Sequence, residues 1–272
     1  MIYLPIVILI LWVLWFSERY AWWGRNVDLK HPRILMYHMV SPAVQGAKFN
    51  GLRVSPALFE RQVCWLSENS WNFVTMSELV NQPAREKVVA ITFDDGFEDN
   101  YLNAFPILKK YHAKATLYLV VDRHDRDWSV SKKSHHNTGE LKNETKLSDV
   151  QIREMLESGV FELGGHTSTH ANLASLDEEG KHKEIAESKA HLESLFSCRI
   201  SSFAYPFGIY NKEGDPSLVQ KAGFDSAVTT EDGIPSDVHT SLFELQRIKI
   251  SGKDGFFSFK IRIGRGKRGL RK

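Results

Sequence analysis

Residues 88–96 read VVAITFDDG. Val88 to Phe93 is a short apolar run rich in β-branched residues and bounded by polar chain, the pattern of a buried strand. Asp94 and Asp95 follow at its carboxyl end. Two adjacent carboxylates repel unless a cation or a shared proton offsets their charge. Gly96 permits a sharp exit that turns both acids toward one cavity. Asp-Asp-Gly is elsewhere a common solvated turn, but directly after a buried strand it points to a site.

On either side, short β-like runs alternate with helical patterns. Arg33 to His38 (RILMYH) is strand-like and bounded by Pro32 and Ser41-Pro42, and Ser55-Pro56 is a helix start with Ser at the N-cap and Pro in the first turn. Further strands are expected at 73–76, 115–121, 160–163, 202–205, 226–229 and 245–250. Helices are expected at 100–111, kinked by Pro106, at 148–158, and as one long amphipathic helix over 177–196. Strand–helix alternation over about 220 residues, with six to eight strands and no internal repeat, predicts a parallel α/β barrel. Residues 122–145 break the pattern, and a connection that long inside a compact domain is commonly functional; its His124, His135 and His136 read as solvated.

An α/β barrel keeps its chemistry at the carboxyl ends of its strands, and two further clusters fall there. Gly164-Gly165-His166-Thr167-Ser168-Thr169-His170 places two histidines four apart, on one face of a helical turn and close enough for both imidazoles to reach one metal. With Asp95 they would make a two-His, one-carboxylate site with open positions. Such a metal polarises a carbonyl and lowers the pKa of bound water to about 7, leaving Asp94 to take a proton as general base. The other cluster, Phe203-Ala204-Tyr205-Pro206-Phe207-Gly208, ends a strand with backbone and aromatic surface suited to a sugar ring and an oxyanion donor.

TFDDG (Thr92 to Gly96), HTSTH (His166 to His170) and AYPFG (Ala204 to Gly208) occur in the order of the polysaccharide deacetylases, the NodB-homology group of carbohydrate esterases, which this chain resembles over most of its length. The resemblance implies a distorted (β/α) barrel of the NodB-homology type and metal-dependent deacetylation of N-acetylated sugars. It implies Asp94 as base, Asp95, His166 and His170 as ligands of a divalent metal (zinc first, with Co2+, Ni2+ or Fe2+ as alternatives), and the Phe207 N–H as oxyanion donor beside Tyr205 and Pro206. Two features depart from the family pattern: Ala204 stands where an Arg orients the base, and the C-terminal third has no clear Leu-x-His. Both, together with RILMYHMV, resemble the poly-β-1,6-N-acetylglucosamine deacetylase subgroup with permuted motifs. That likeness implies His38 as the acid protonating the leaving amine, and Arg247 is a candidate for the missing Arg. The expected substrate is an N-acetylglucosamine-type residue of a bacterial cell-surface polysaccharide. Alternatives are a lipid-linked or lipopolysaccharide-core amino sugar on the cytoplasmic side, or a carbohydrate-binding pseudoenzyme, against which the intact acids and histidines argue.

Composition bounds the rest. Of 272 residues 42% are hydrophobic and 25% charged, the balance of a folded globular protein. Cys64 and Cys198 are too few for a disulfide scaffold. The last thirteen residues carry seven Lys or Arg and no acid, which leaves 28 basic against 33 acidic residues in the body. The strip at 260–272 therefore reads as a basic tail and not as a nucleic-acid face. Met1 to Phe16 is apolar apart from Pro5, with Trp22 and Trp23 beyond Arg19. It predicts a single-pass inner-membrane helix over 1–23, preceding a catalytic domain at 32–259. Basic residues after the run argue for a cytoplasmic body, while the subgroup resemblance argues for an extracytoplasmic one. Oligomeric state is not legible.

Overall fold

The computed structural model describes residues 3–21, 23–82, 85–128 and 139–269. His135 and His136 lie outside the described residues; His124 is exposed. Eight parallel strands make one sheet: β1 Arg33–Tyr37, β2 Asn72–Val74, β3 Val88–Asp95, β4 Ala115–Leu119, β5 Phe161–Gly165, β6 Ser202–Ala204, β7 Ser226–Asp232 and β8 Leu245–Lys249. Seven close on themselves in the order β1-β3-β4-β5-β6-β7-β8, because β1 pairs with both β3 and β8. The short β2 pairs with the first residues of β3, outside the ring. This is the expected distorted α/β barrel.

Strand alternation separates two environments. Leu35 and Tyr37, Val89, Ile91 and Phe93, Leu117 and Leu119, and Leu163 belong to the large cluster packed against the helices. Ile34, Ala90, Tyr118, Ala204, Val228 and Leu245 form a second cluster, inside the barrel. Small residues there admit bulky ones: Gly164 leaves room for the Tyr118 ring, and a Cβ built on it would lie 2.5 Å from Tyr118 Cδ1 and 3.1 Å from the Ser202 carbonyl oxygen.

The helices follow their local signals. Ser55 caps α2 (Pro56–Glu68), Thr75 caps α3 (Met76–Asn81), and Ser148 caps α6 (Asp149–Glu157), the last two through capping boxes. Pro106 lies at the start of α4 (Phe105–Lys110), where its missing N–H is tolerated; the preceding residues, Asn100–Ala104, widen into a π turn. A one-turn α5 spans Glu140–Asn143. The long helix expected over 177–196 is interrupted. It runs as α7 (Glu178–His182), a π turn (Lys183–Glu187) and α8 (Ser188–Phe196). Helix α9 spans Asp215–Lys221 and α10 spans Phe256–Arg265. The tail boundary expected at residue 260 falls inside α10, because Phe259 and Ile263, one turn apart, are buried against the body.

The expected transmembrane helix is not recovered. Helix α1 (Tyr3–Tyr20) is present, but among the described residues no helix is long and apolar enough to cross a membrane. Its 18 residues rise about 27 Å, under a hydrocarbon core of about 30 Å. The last turn carries Ser17, Glu18 and Arg19 and is fixed to the body: Phe16 and Tyr20 pack on Phe257, and Arg265 donates to the carbonyls of Tyr20 and Ala21.

The tight β5–Tyr118 contact yields a test of the interior packing. Gly164→Ala is expected to cost about 1–3 kcal/mol through overpacking, read as a lower urea midpoint at unchanged m-value.

Candidate active site

Alternation points Asp94 into the barrel and would turn Asp95 outward, toward the helices. Asp95 instead adopts φ 80° and Gly96 φ 83°, and this pair of left-handed residues swings the second carboxylate back over the barrel mouth. A side chain with a Cβ is strained in that region. Thr167 (φ 66°), His170 (φ 57°) and Phe207 (φ 59°) share the strain, so all three sequence clusters carry it.

Asp94 is 2% exposed and clamped by Arg247, whose Nη1 and Nη2 each lie 2.7 Å from one carboxylate oxygen. Arg247 is itself fully buried. Its Nε donates to the Thr229 carbonyl at 2.9 Å and its Nη1 to Thr92 Oγ1 at 3.0 Å. Burial pushes Asp94 upward, but the guanidinium outweighs it and holds the carboxyl below its ordinary range. Arg247 thus reaches Asp94 from β8, while Ala204 occupies the end of β6.

Asp95 Oδ1 lies 3.1 Å from His170 Nε2 and 3.4 Å from His166 Nε2. All three residues are buried, and their ligand atoms lie within 4.8 Å of one another. His166 Nδ1 is 2.7 Å from the Ala204 carbonyl; a carbonyl only accepts, so Nδ1 carries a proton, and Nε2 is the nitrogen turned to Asp95. Asp95 Oδ1 makes no hydrogen bond although buried. Burial pushes Asp95 upward, yet the His170 imidazole beside it and hydrogen bonding from His166 and His170 hold it well below the usual carboxylate range. Burial pushes His170 down, toward the neutral form that ligates a metal. An orphaned anionic oxygen facing two aligned imidazole nitrogens fits a divalent cation.

The segment 166–170 is not the helical turn expected from the spacing of its histidines. It is an irregular loop, because the amides of Ser168 and Thr169 bond to the Glu184 carboxylate instead of to preceding carbonyls.

A cavity of about 400 Å3 opens above these groups, lined also by His38, Phe207, Thr230 and Lys249 and by an apolar wall that includes Phe49, Leu52, Trp128 and Leu141. His38 directly follows β1, and its carbonyl accepts from Asn100 Nδ2 at 2.8 Å. Phe207 meets the His170 ring edge-on at 4.4 Å. Tyr205 and Pro206 do not line the cavity; Tyr205 packs into the outer cluster, stacked on Tyr210 at 4.0 Å. Thr230 and Lys249, missed in the sequence reading, follow the inward-facing Val228 and Arg247 by two residues, so strand period carried their signal. Of the apolar wall, Trp128 and Leu141 belong to the long connection 122–145 already marked by its length, whereas Phe49 and Leu52 carried no signal. The wall is held by Glu140, which accepts from the amides of Lys48 and Phe49 at 2.8 and 3.2 Å, and by Arg53, paired with Glu144 at 2.7 Å. Lys146 braces it beneath the Phe97 and Trp128 rings at 4.6 and 4.9 Å, its ammonium pushed down by burial to about 8.

A parallel barrel with a buried carboxylate–imidazole set beside an arginine-clamped acid is the centre of a metal-assisted hydrolase. The chain belongs to the polysaccharide deacetylase family, whose family model matches residues 81–227, and it is accordingly a hydrolase of carbon–nitrogen bonds. It is 33% identical to the polysaccharide deacetylase homologue YxkH of Bacillus subtilis over 85% of this chain and 75% of that protein. It is 29% identical to a poly-β-1,6-N-acetyl-D-glucosamine N-deacetylase of Staphylococcus aureus over 66% of this chain and 61% of that protein. The solved deacetylase PplD of Streptococcus pyogenes, in complex with acetate, superposes with a TM-score of 0.68 at 27% identity, covering 84% of this chain and 94% of that one.

Two tests follow from these buried charges. Arg247→Met leaves Asp94 unpaired and is expected to cost about 3–5 kcal/mol in urea unfolding, with Asp94→Leu in the same chain recovering most of it. Asp99, beside Asn100, is pushed up by burial to about 6. Its folded form keeps its proton above the ordinary carboxylate pKa, so its contribution is present at pH 4 and lost as pH rises through 6. Asp99→Asn is expected to gain on wild type by on the order of 2–3 kcal/mol between pH 4 and pH 7, read from unfolding at each pH.

Proposed function

We propose that this protein removes acetyl groups from N-acetylglucosamine-type residues of a bacterial cell-surface polysaccharide. The observation that carries the reading is the pairing of two differently neutralised acids: Asp94 held ionised by Arg247, and Asp95 joined to His166 and His170 around a cation position. A divalent ion bound there supplies Lewis acidity toward an acyl oxygen and lowers the pKa of water.

The chain's own residues do the rest. Asp94, fixed by two hydrogen bonds to Arg247, accepts the proton of the attacking water. The Phe207 amide, in a left-handed turn at a residue that lines the cavity, donates to the developing oxyanion. His38, lining the same cavity, returns a proton to the departing sugar amine. Acetate and a free amino sugar leave. The apolar wall of Trp128, Leu141 and Leu52 receives the acetyl methyl and excludes bulk water. The named substrate of the Staphylococcus aureus relative and the acetate bound to PplD both support this choice of sugar and acyl group.

Acetate release from N-acetylglucosamine oligomers by the metal-loaded chain is the test. Asp94→Asn and His38→Gln are each expected to lower kcat by about 10²–10⁴-fold while still binding Zn2+. Undiminished acetate release by Asp94→Asn would overturn the assignment.

A further inference from the structure

We propose that Glu184 is the positioning residue of the metal-binding loop: from the π turn between α7 and α8 its carboxylate fixes the backbone of residues 167–170 and, through it, the His170 imidazole. The inference rests on the reading of Asp95, His166 and His170 as metal ligands.

The two histidines are held differently. His166 directly follows β5; its amide donates to the Leu119 carbonyl at 3.1 Å and its ring is oriented by the Ala204 carbonyl. His170 has no such support: it lies four residues into irregular chain, and its Nδ1 is buried without a hydrogen bond. Its position therefore depends on the loop. The loop's carbonyls are fixed to the β4 exit, with the Val121 amide donating to the Thr167 carbonyl at 3.2 Å and the Asp122 amide to the Ser168 carbonyl at 2.8 Å. The loop's donors converge on Glu184. Oε2 accepts from the amides of Ser168 and Thr169, both at 2.9 Å, and Oε1 accepts from Thr169 Oγ1 at 2.7 Å.

Glu184 has no cationic partner among the described residues, so these three bonds are what its carboxylate makes. They bridge the two strained residues, Thr167 and His170, whose left-handed backbone relaxes unless surrounding contacts over-determine it. The π turn supplies the reach. A regular helix through 177–196 would keep every residue on a 3.6-residue period, whereas the extra residue at Lys183–Glu187 rotates Glu184 toward the loop. Ser168 Oγ, donating to the Lys183 carbonyl at 3.2 Å, adds a further bond at the same turn.

The test is cobalt titration of the full chain, followed by visible absorption, with Zn2+ competition for affinity and far-UV circular dichroism for folding. Glu184→Ala is expected to weaken Co2+ binding about 10–100-fold, the range for partners that orient a metal ligand, and to change the Co2+ band shape because His170 is displaced. Glu184→Gln is expected to restore both, since its carbonyl can accept from the two amides and its NH2 can donate to Thr169 Oγ1. Glu184→Asp retains the charge but falls short of the loop, so it is expected to behave as alanine does and carries the test if alanine does not fold. Wild-type affinity and spectrum in the Ala and Asp variants would overturn the role. So would a Gln variant as weak as alanine, which would make charge, not loop geometry, the determinant. A wild type that binds no Co2+ would instead overturn the ligand assignment on which the inference rests.

Discussion

Two consecutive buried carboxylates dominate the energetics of this barrel. Taking one ionised carboxylate out of water costs several kcal/mol, and a pair without counter-charge would not stay ionised. Asp94 and Asp95 are answered separately. Arg247 crosses the interior from β8 to form a bidentate pair with Asp94 on β3, with β1 lying between those strands in the ring. Asp95 is left to two imidazoles and a cation position. The interior accommodates the guanidinium because Thr92 Oγ1 and the Thr229 carbonyl take its remaining hydrogen bonds, with the Tyr118 ring 5.7 Å away. Arg247 on β8 is the cation that the structure sets against Asp94. Ala204 on β6 orients His166 through its carbonyl.

The division of charge also divides chemistry. A carboxylate held by two charge-assisted hydrogen bonds keeps a fixed orientation and stays ionised, which suits it to receive a proton at one place. A carboxylate with an orphaned oxygen beside two imidazole nitrogens suits a cation. Both functions come from adjacent residues because the chain reverses its handedness at Asp95 and Gly96. Without that reversal, strand alternation would send the two acids to opposite sides of the barrel wall.

The cavity walls come from connections instead of strands. Phe49 and Leu52 belong to the β1–α2 connection, and Trp128 and Leu141 to the long connection after β4. These segments are far apart in sequence, and Arg53, Glu140 and Glu144 join them by ion pairs and by hydrogen bonds to the backbone of 48–49. An apolar enclosure next to a polarising site strengthens each electrostatic contact inside it.

The alternation of strands and helices, the caps at Ser55 and Ser148, and the three clusters at strand ends were legible in the amino-acid order, because each depends on residues adjacent in the chain. So was the Asp95, His166 and His170 set, since the carboxyl ends of parallel strands meet at one barrel mouth. Other features were legible only in part. Arg247 was a candidate by chemistry, but 153 residues separate it from Asp94 and only barrel closure through β1 brings them together. The helical reading of 166–170 failed because a carboxylate from a later helix takes the amides that a helix would have used internally. Tyr205 was assigned to the cavity by proximity in sequence, yet strand parity turns it to the outer layer. The apolar run at the N-terminus was visible, but its helix ends in a charged turn docked on α10. Local order, then, determined the elements and the ligand types, while register, closure and long-range hydrogen bonds decided which groups face one another, because those quantities belong to pairs of distant residues and not to any one segment.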